Sequence, residues 1–438
     1  MELGTQDGLE LLDFPVGGSW RKTKLFFRDS GITNIVMKRP ETTSFSISAP
    51  FEDRHLPGEV ICELSDGSAA IAIDGSSLCF RFNPFMMHIY NLGEGFSEWE
   101  ENRQRNVLLK AYWHMPLRLR NYMRALARGV KTRSVKSLES LQLLGVSSNV
   151  IVHLIERHLL ENKIPIQRNE KPTAILTHDI DTHFCQSEGR ILVSSVEQAE
   201  KVKSTWFFVP RSVQYCLEDK SIIDLTDQGH EVGMHGLTHA GNLALGNLPR
   251  LTAQLKKGKQ MLESIGPPII SFRSPWTLRA PALLASLAMA GFKVDSSYPD
   301  VDTLGMTSSR PGVSYNRPYR PLRIEEGGAV TPLSIVEAPI AGPQDVQLIE
   351  DLNVGGRDLL RVWKYKAEFC KDFGGVLVHH THPVHLAGRL ECYKEFIGFL
   401  KRMGFRVIRL RDLYRECVLN SIKSGGAGQS EAGTSDDV

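Results

Sequence analysis

From residue 171 onward the chain alternates short β-rich runs with amphipathic helical stretches, and this alternation leaves few folds open. The β-rich runs fall at 173–178, 205–209, 231–235, 269–273, 292–294, 333–337, 375–381 and 405–410. Between them, the stretch NLPRLTAQLKKGKQMLESI sets Leu248, Leu251, Leu255, Met261, Leu262 and Ile265 on one helical stripe, and 278–290, 355–370 and 389–402 behave similarly. Repeated strand–helix–strand units point to an α/β fold, and eight strands at this spacing suggest a parallel (β/α) barrel. In such barrels the reactive side chains belong at the C-terminal ends of strands and in the loops that follow.

The polar residues of this half of the chain obey that rule. The first run ends in Thr177-His178-Asp179-Ile180-Asp181, two carboxylates just past an apolar segment. An Asp in this place is also a common helix N-cap or turn former. The third run ends in His235-Gly236-Leu237-Thr238-His239. Histidines four apart on a helical turn face one side and can reach one cation, and two His with one carboxylate leave open positions, as catalytic zinc sites do. The fourth run ends in Phe272-Arg273-Ser274-Pro275-Trp276, where an Arg can hold a carboxylate and keep it ionised. The fifth ends in Asp295-Ser296-Ser297-Tyr298-Pro299, and the seventh in His379-His380-Thr381-His382-Pro383-Val384-His385. Five rims carrying Asp, His, Arg, Asp and His argue for one shared site.

In order and spelling these rims resemble the polysaccharide deacetylase family, the NodB-homology fold or carbohydrate esterase family four, over about residues 171–417. GHEVGMHGLTH is similar to the family's second motif, FRSPW to its third, GFKVDSSYP to its fourth, VLVHHTHP to its fifth and RVIRLRDL to its last strand and helix. The first motif departs from the commonest form, since Ile180 stands where a second adjacent Asp is usual. The resemblance implies a distorted parallel (β/α) barrel binding one divalent ion, Zn²⁺ by preference, through Asp181, His235 and His239. It implies Asp179 as a general base held by Arg273, and His382 as the acid that protonates the leaving amine, oriented by Asp295. Trp276, whose neighbourhood would supply an oxyanion-binding backbone N–H, and Tyr298 become substrate contacts, while His379, His380 and His385 are assigned to packing or substrate contact. The implied reaction removes an N-acetyl or N-formyl group from an amino sugar in a glycan or a lipid- or nucleotide-linked sugar. Hydrolysis of a small cyclic amide, or a non-catalytic carbohydrate-binding module, are the alternatives.

The rest of the chain is read from composition. Residues 1–101 hold short β-rich segments punctuated by turns, such as EVICEL, SDGS and AAIAIDG, and suggest a smaller accessory domain. Between Asn102 and Leu138 there are ten Lys or Arg and no Asp or Glu, interleaved with Tyr112, Trp113 and Tyr122. Residues 102–170 therefore read as a basic helical connector, either a solvated linker or a patch for an anionic membrane surface or a phosphate-linked substrate. The barrel is expected over 171–420, and 421–438, Gly/Ser/acid-rich, as a disordered tail. With 52 Lys+Arg against 50 Asp+Glu the chain is near neutral, which excludes a uniformly basic nucleic-acid binder. Seven scattered cysteines without a CxxC spacing argue for reduced thiols rather than a disulfide frame. With no apolar run of spanning length and no signal-like N-terminus, a cytoplasmic location is expected, with the basic stretch leaving a membrane-peripheral one open.

Overall fold

The computed structural model describes residues 9–16, 19–26, 56–64, 69–75, 77–81, 119, 155, 156, 158, 161 and 171–425, the last range except 240–242, 244–245, 278–280, 301–315, 325–329 and 352. In the N-terminal part, β1 (Leu9–Val16), β2 (Ser19–Phe26), β3 (Glu59–Leu64), β4 (Ala69–Asp74) and β5 (Ser77–Phe80) form an antiparallel sheet in the order β2-β1-β3-β4-β5. This is the β-rich N-terminal element expected from the turn-punctuated sequence. The basic stretch 102–138, Leu119 apart, and the chain beyond 425 lie outside the described residues.

The second half is built on β6 (Thr173–Ile180), β7 (Thr205–Phe208), β8 (Glu231–Met234), β9 (Ser271–Phe272) and β10 (Val294–Asp295). A short antiparallel hairpin, β11 (Leu322–Ile324) and β12 (Val330–Pro332), precedes β13 (Val336–Glu337), β14 (Val376–Thr381) and β15 (Arg406–Val407). The parallel strands lie in the order β13-β10-β9-β8-β7-β6-β14, with β15 beside the first residues of β6. Ile340 makes parallel bridges to both Pro299 and Val378, so the sheet curls until the extension of β13 meets β14. The result is a distorted parallel barrel.

Around it lie α1 (His183–Gln186), α2 (Glu188–Ala199), α3 (Asp219–Asp227), α4 (Leu248–Glu263), α5 (Pro281–Met289), α6 (Gly356–Phe373), α7 (Pro383–Leu386), α8 (Leu390–Arg402) and α9 (Leu410–Gly425). Their ends follow from local chemistry. Asn247 caps α4 by accepting from the Arg250 N–H at 3.1 Å, and α6 stops at Gly374, whose φ of +74° suits a residue without Cβ. Among the described residues no helix is long and apolar enough to cross a membrane. The run 405–410 gives only a two-residue strand because Leu410 already opens α9, and α9 continues to Gly425, five residues past the expected end of the barrel.

Two apolar layers follow from strand alternation. The outer one, between strands and helices, contains Leu176, Trp206, Leu251, Leu377 and Phe396. The inner one consists of Ile175, Phe207, Val294, Ala338, Val376 and Val378, closed from below by Leu410 and Leu413 of α9. The start of α9 is tied to the strand bottoms: the buried Glu231 carboxylate accepts from the Arg411 N–H at 2.9 Å, and Thr205 Oγ1 accepts from the Leu410 N–H at 3.2 Å. A carboxylate at a helix N-terminus is the favourable sign. Above the Glu231, Thr205 and Ser271 cluster at the plugged bottom and the apolar waist, the described interior turns polar again toward the C-terminal rim.

Candidate active site

On β6 the inward positions run Ile175, Thr177, Asp179, and the last of these reaches the rim with its carboxylate buried (1% exposed). Arg273, fully buried after β9, donates from its Nη1 to Asp179 Oδ1 and to Thr177 Oγ1, each at 2.9 Å. Its Nε and Nη2 donate to the Ser296 carbonyl at 2.8 Å and to Ser296 Oγ at 3.0 Å. The guanidinium also lies over the Phe207 ring, 4.4 Å from the centroid. With four of its five N–H donors bonded and a carboxylate as partner, the cation can sit in the interior. The other Asp179 oxygen lies 2.8 Å from His380 Nε2 and 3.5 Å from His235 Nε2. Burial pushes the Asp179 pKa up, but His380, Arg273 and His235 outweigh it and hold the carboxyl far below the usual range.

Asp181, two residues on, faces a pair of imidazoles. Its Oδ1 is 3.4 Å from His235 Nε2 and 3.2 Å from His239 Nε2, and its Oδ2 is 3.5 Å from His382 Nε2. Against the pull of burial, His239, His235 and His382 keep Asp181 well below the carboxylate norm. The two histidines do not share a helical turn, as their spacing suggests. They are brought together by a left-handed loop, with Gly236 at φ +68° and His239 at φ +54°, which sets their ring centroids 5.1 Å apart. At Gly236 a Cβ would meet the Pro275 ring at 2.7 Å, so glycine is required there on both counts. His235 Nδ1 lies 3.0 Å from the Arg273 carbonyl. A carbonyl only accepts, so Nδ1 carries the proton and the Nε2 lone pair faces Asp181.

Across the rim, β14 supplies His380 and, one step beyond its end, His382. His382 Nδ1 lies 2.9 Å from Asp345 Oδ1, and its backbone N–H donates to Asp345 Oδ2 at 2.6 Å. Burial would lower the His382 pKa, yet Asp345 and Asp181 hold it well above the imidazole norm. Asp345 Oδ2 also meets His385 Nδ1 at 3.0 Å, and His385 Nε2 meets Glu350 Oε1 at 3.1 Å. The His385 pKa, which burial lowers, is carried up to about 9 by these two carboxylates. Trp276, beside His239 with ring centroids 5.6 Å apart, has φ +61°, and Thr277 has φ +51°. Three non-glycine residues in the left-handed region around one rim mark strain of the kind functional sites keep.

Asp179, Asp181, His235, His239, Arg273, Trp276 and His382 are thus brought to one rim. Two expectations are corrected. Asp295 does not orient His382: Val294 faces the interior, so Asp295 points to the other face of the sheet, where it accepts from Ser297 Oγ and lies beside its register partner Glu337. Burial there raises its pKa to about 6. Tyr298 is a core side chain, 5% exposed, rather than an open contact surface. Asp345 is absent from the sequence expectations, and His380 and His385, expected as packing or substrate contacts, lie instead against Asp179 and Asp345. The signal for Asp345 is positional: the rim after β13, to which that reading assigns no polar residue, runs on through Ala341-Gly342-Pro343-Gln344-Asp345.

Residues 167–294 match the family model described as Polysaccharide deacetylase. No curated protein sequence matches the chain. Among solved structures, an assumed polysaccharide deacetylase from Mycobacterium smegmatis is similar at 19% identity and a TM-score of 0.47, covering 63% of this chain and 98% of the other. A chitin deacetylase from Colletotrichum lindemuthianum is similar at 15% identity and a TM-score of 0.37, over 57% and 90% of the two chains. A peptidoglycan deacetylase from Bacillus subtilis aligns at 14% identity and a TM-score of 0.37, over 60% and 98%. By the sequence match at 167–294, this part of the barrel is similar to the polysaccharide deacetylase family.

Proposed function

We propose that the protein is a divalent-metal-dependent hydrolase that removes an N-acetyl or N-formyl group from an amino sugar, in a glycan or in a lipid- or nucleotide-linked sugar. The residues present fit a metal. Asp181 Oδ1 is buried and has no hydrogen-bond partner among the described residues, the His235 Nε2 lone pair is turned toward it, and the donor atoms of Asp181, His235 and His239 lie within 4.8 Å of one another. Such a mixed oxygen and imidazole set suits Zn²⁺. A cation held there supplies Lewis-acid polarisation of the amide carbonyl and eases ionisation of water near neutral pH.

The chain's own groups then divide the proton transfers. Asp179, kept ionised and oriented by Arg273, accepts a proton from the attacking water. As the carbonyl becomes tetrahedral, a backbone N–H near Trp276 would donate to the oxyanion. His382, protonated and with Nδ1 committed to Asp345, presents Nε2 to the leaving nitrogen and gives it a proton as the C–N bond breaks. Acetate and a free amine are the products for an acetyl substrate. The observation that carries this reading is the convergence of an Asp–His–His donor set, an Arg-held carboxylate and an Asp-held imidazole on one rim of the barrel. A pure binding module gains nothing from burying Asp179 against Arg273.

Acetate release from N-acetylglucosamine oligomers by zinc-loaded protein tests the proposal. Turnover is expected in the wild type, and Asp179→Asn should retain the metal while losing about 10²–10⁴-fold in rate, the usual range for a general base. Absence of release from N-acetyl and N-formyl amino sugars alike, with every divalent ion supplied, would overturn it.

A further inference from the structure

Nothing in the reaction as described uses His385 or Glu350, yet both are aimed at the residue that holds the acid. Asp345 is buried, 1% exposed, and each of its oxygens is engaged: Oδ1 by the His382 ring at 2.9 Å and by the Val346 N–H at 2.8 Å, Oδ2 by the His382 backbone N–H at 2.6 Å and by His385 Nδ1 at 3.0 Å. Its carboxylate rotates about two side-chain bonds, and Oδ1 is held by the His382 ring and the Val346 N–H, whereas Oδ2 would keep only the His382 backbone N–H without His385. His385 supplies the one side-chain contact to Oδ2 among the described residues. Its own position is fixed twice, through Nε2 at 3.1 Å from Glu350 Oε1 and through its backbone N–H, which donates to the His382 carbonyl at 2.9 Å. A further tie comes from Arg389 Nη1, which donates to the His385 carbonyl at 3.0 Å.

We propose that His385, braced by Glu350, is a positioning residue that locks the Asp345 carboxylate and through it the orientation of the His382 ring. This inference rests on His382 being the proton donor to the leaving nitrogen. The ring of His382 has two stable flips, and only the one with Nδ1 on Asp345 leaves Nε2 on the side of Asp181, 3.5 Å from its Oδ2. Loss of the lock would release the carboxylate and let the ring turn.

The two nitrogens of His385 can be mimicked one at a time, because an Asn amide nitrogen sits near the Nδ1 position and a Gln amide nitrogen near the Nε2 position. His385→Asn should keep kcat within about threefold, while His385→Gln and His385→Leu should lower kcat about 10–100-fold with KM and bound zinc unchanged, the range for partners one step removed from the reacting groups. Acetate release from an N-acetylglucosamine oligomer reads the kinetics. The second readout is the downfield proton resonance of the His382 Nδ1–H, assigned by its loss in His382→Gln: it should persist in wild type and His385→Asn and vanish in His385→Leu. Glu350→Ala, which truncates a partly exposed side chain and leaves the fold intact, should broaden the same resonance and serves if His385→Leu does not fold. A wild-type kcat and an unchanged resonance in His385→Leu, or an unchanged resonance in Glu350→Ala, would overturn the inference. Full activity of His382→Gln would instead remove the reading of His382 as donor, while the resonance still reports whether His385 holds Asp345.

Discussion

Asp179 and His382 flank Asp181 with opposite charges already in place. One is held ionised by Arg273 at 2.9 Å, and the other is held protonated by Asp345 at 2.9 Å. Environments that push two titrating groups apart are what assign base and acid at one pH. The holder of the proposed acid is the residue that sequence order misplaced. Asp295 ends a strand, as rim residues should, but strand alternation sends it to the outer face, whereas Asp345 lies eight residues past β13 on a loop with no strand-end pattern. Substitution separates the two. Asp345→Asn should lower turnover about 10–100-fold by loosening the His382 ring, whereas Asp295→Asn should change turnover less than about threefold, since it touches neither His382 nor the donor set. A larger loss in Asp295→Asn than in Asp345→Asn would return the orienting role to Asp295.

At the scale of elements, the sequence read well where periodicity was strong. The helices at 248–263, 356–373 and 390–402 and the long strands at 173–180 and 376–381 follow from their apolar spacing. The loop carrying His235 and His239 was legible in its consequence but not in its conformation, because HxxxH spacing cannot distinguish a helical turn from a chain reversed through Gly236. The same alternation that turns His380 inward turns His379 outward, into the apolar layer. There it meets Trp363 and Phe396 with centroids 4.8 and 4.7 Å away, and its Nε2 has no partner among the described residues. Burial drives its pKa down from 6.5 to about 3. Between those values the unfolded chain takes up a proton that the folded chain refuses, so stability is lost as pH falls from about 6.5 toward 3. The loss from this one group is on the order of 2 kcal/mol at about pH 5. His379→Leu, which keeps the apolar packing and removes the titration, should therefore flatten the fall of Tm between about pH 7 and 5. An unaltered slope would mean that His379 does not set the acid limit.

At the scale of the whole molecule, eight parallel strands among the described residues close around an apolar waist and a bottom plugged over the buried Glu231, and the C-terminal rim gathers the Asp, His and Arg side chains of the candidate site. That rim was legible because five of its segments carry their polar residues directly after strands. The N-terminal sheet, with a separate apolar cluster of Leu56, Ala72 and Cys79, has no such residues to read. The ten cations between Asn102 and Leu138 stay a proposal about substrate approach. Each Lys or Arg near an anionic membrane is worth about 1 kcal/mol, so sedimentation with anionic but not neutral vesicles at low salt is expected, weakening at high salt and after neutralising Arg118, Arg120 and Arg124. Equal, negligible binding to both vesicle types would make the segment a connector.

The claim on which the proposed chemistry depends is that Asp181, His235 and His239 form one divalent-metal site, and metal content per folded chain tests it directly. Elemental analysis of the purified full chain after equilibration with zinc should give about one ion per chain in the wild type, and close to none in His235→Ala or His239→Ala at unchanged circular dichroism. Retention of one ion per chain in both variants would contradict the site.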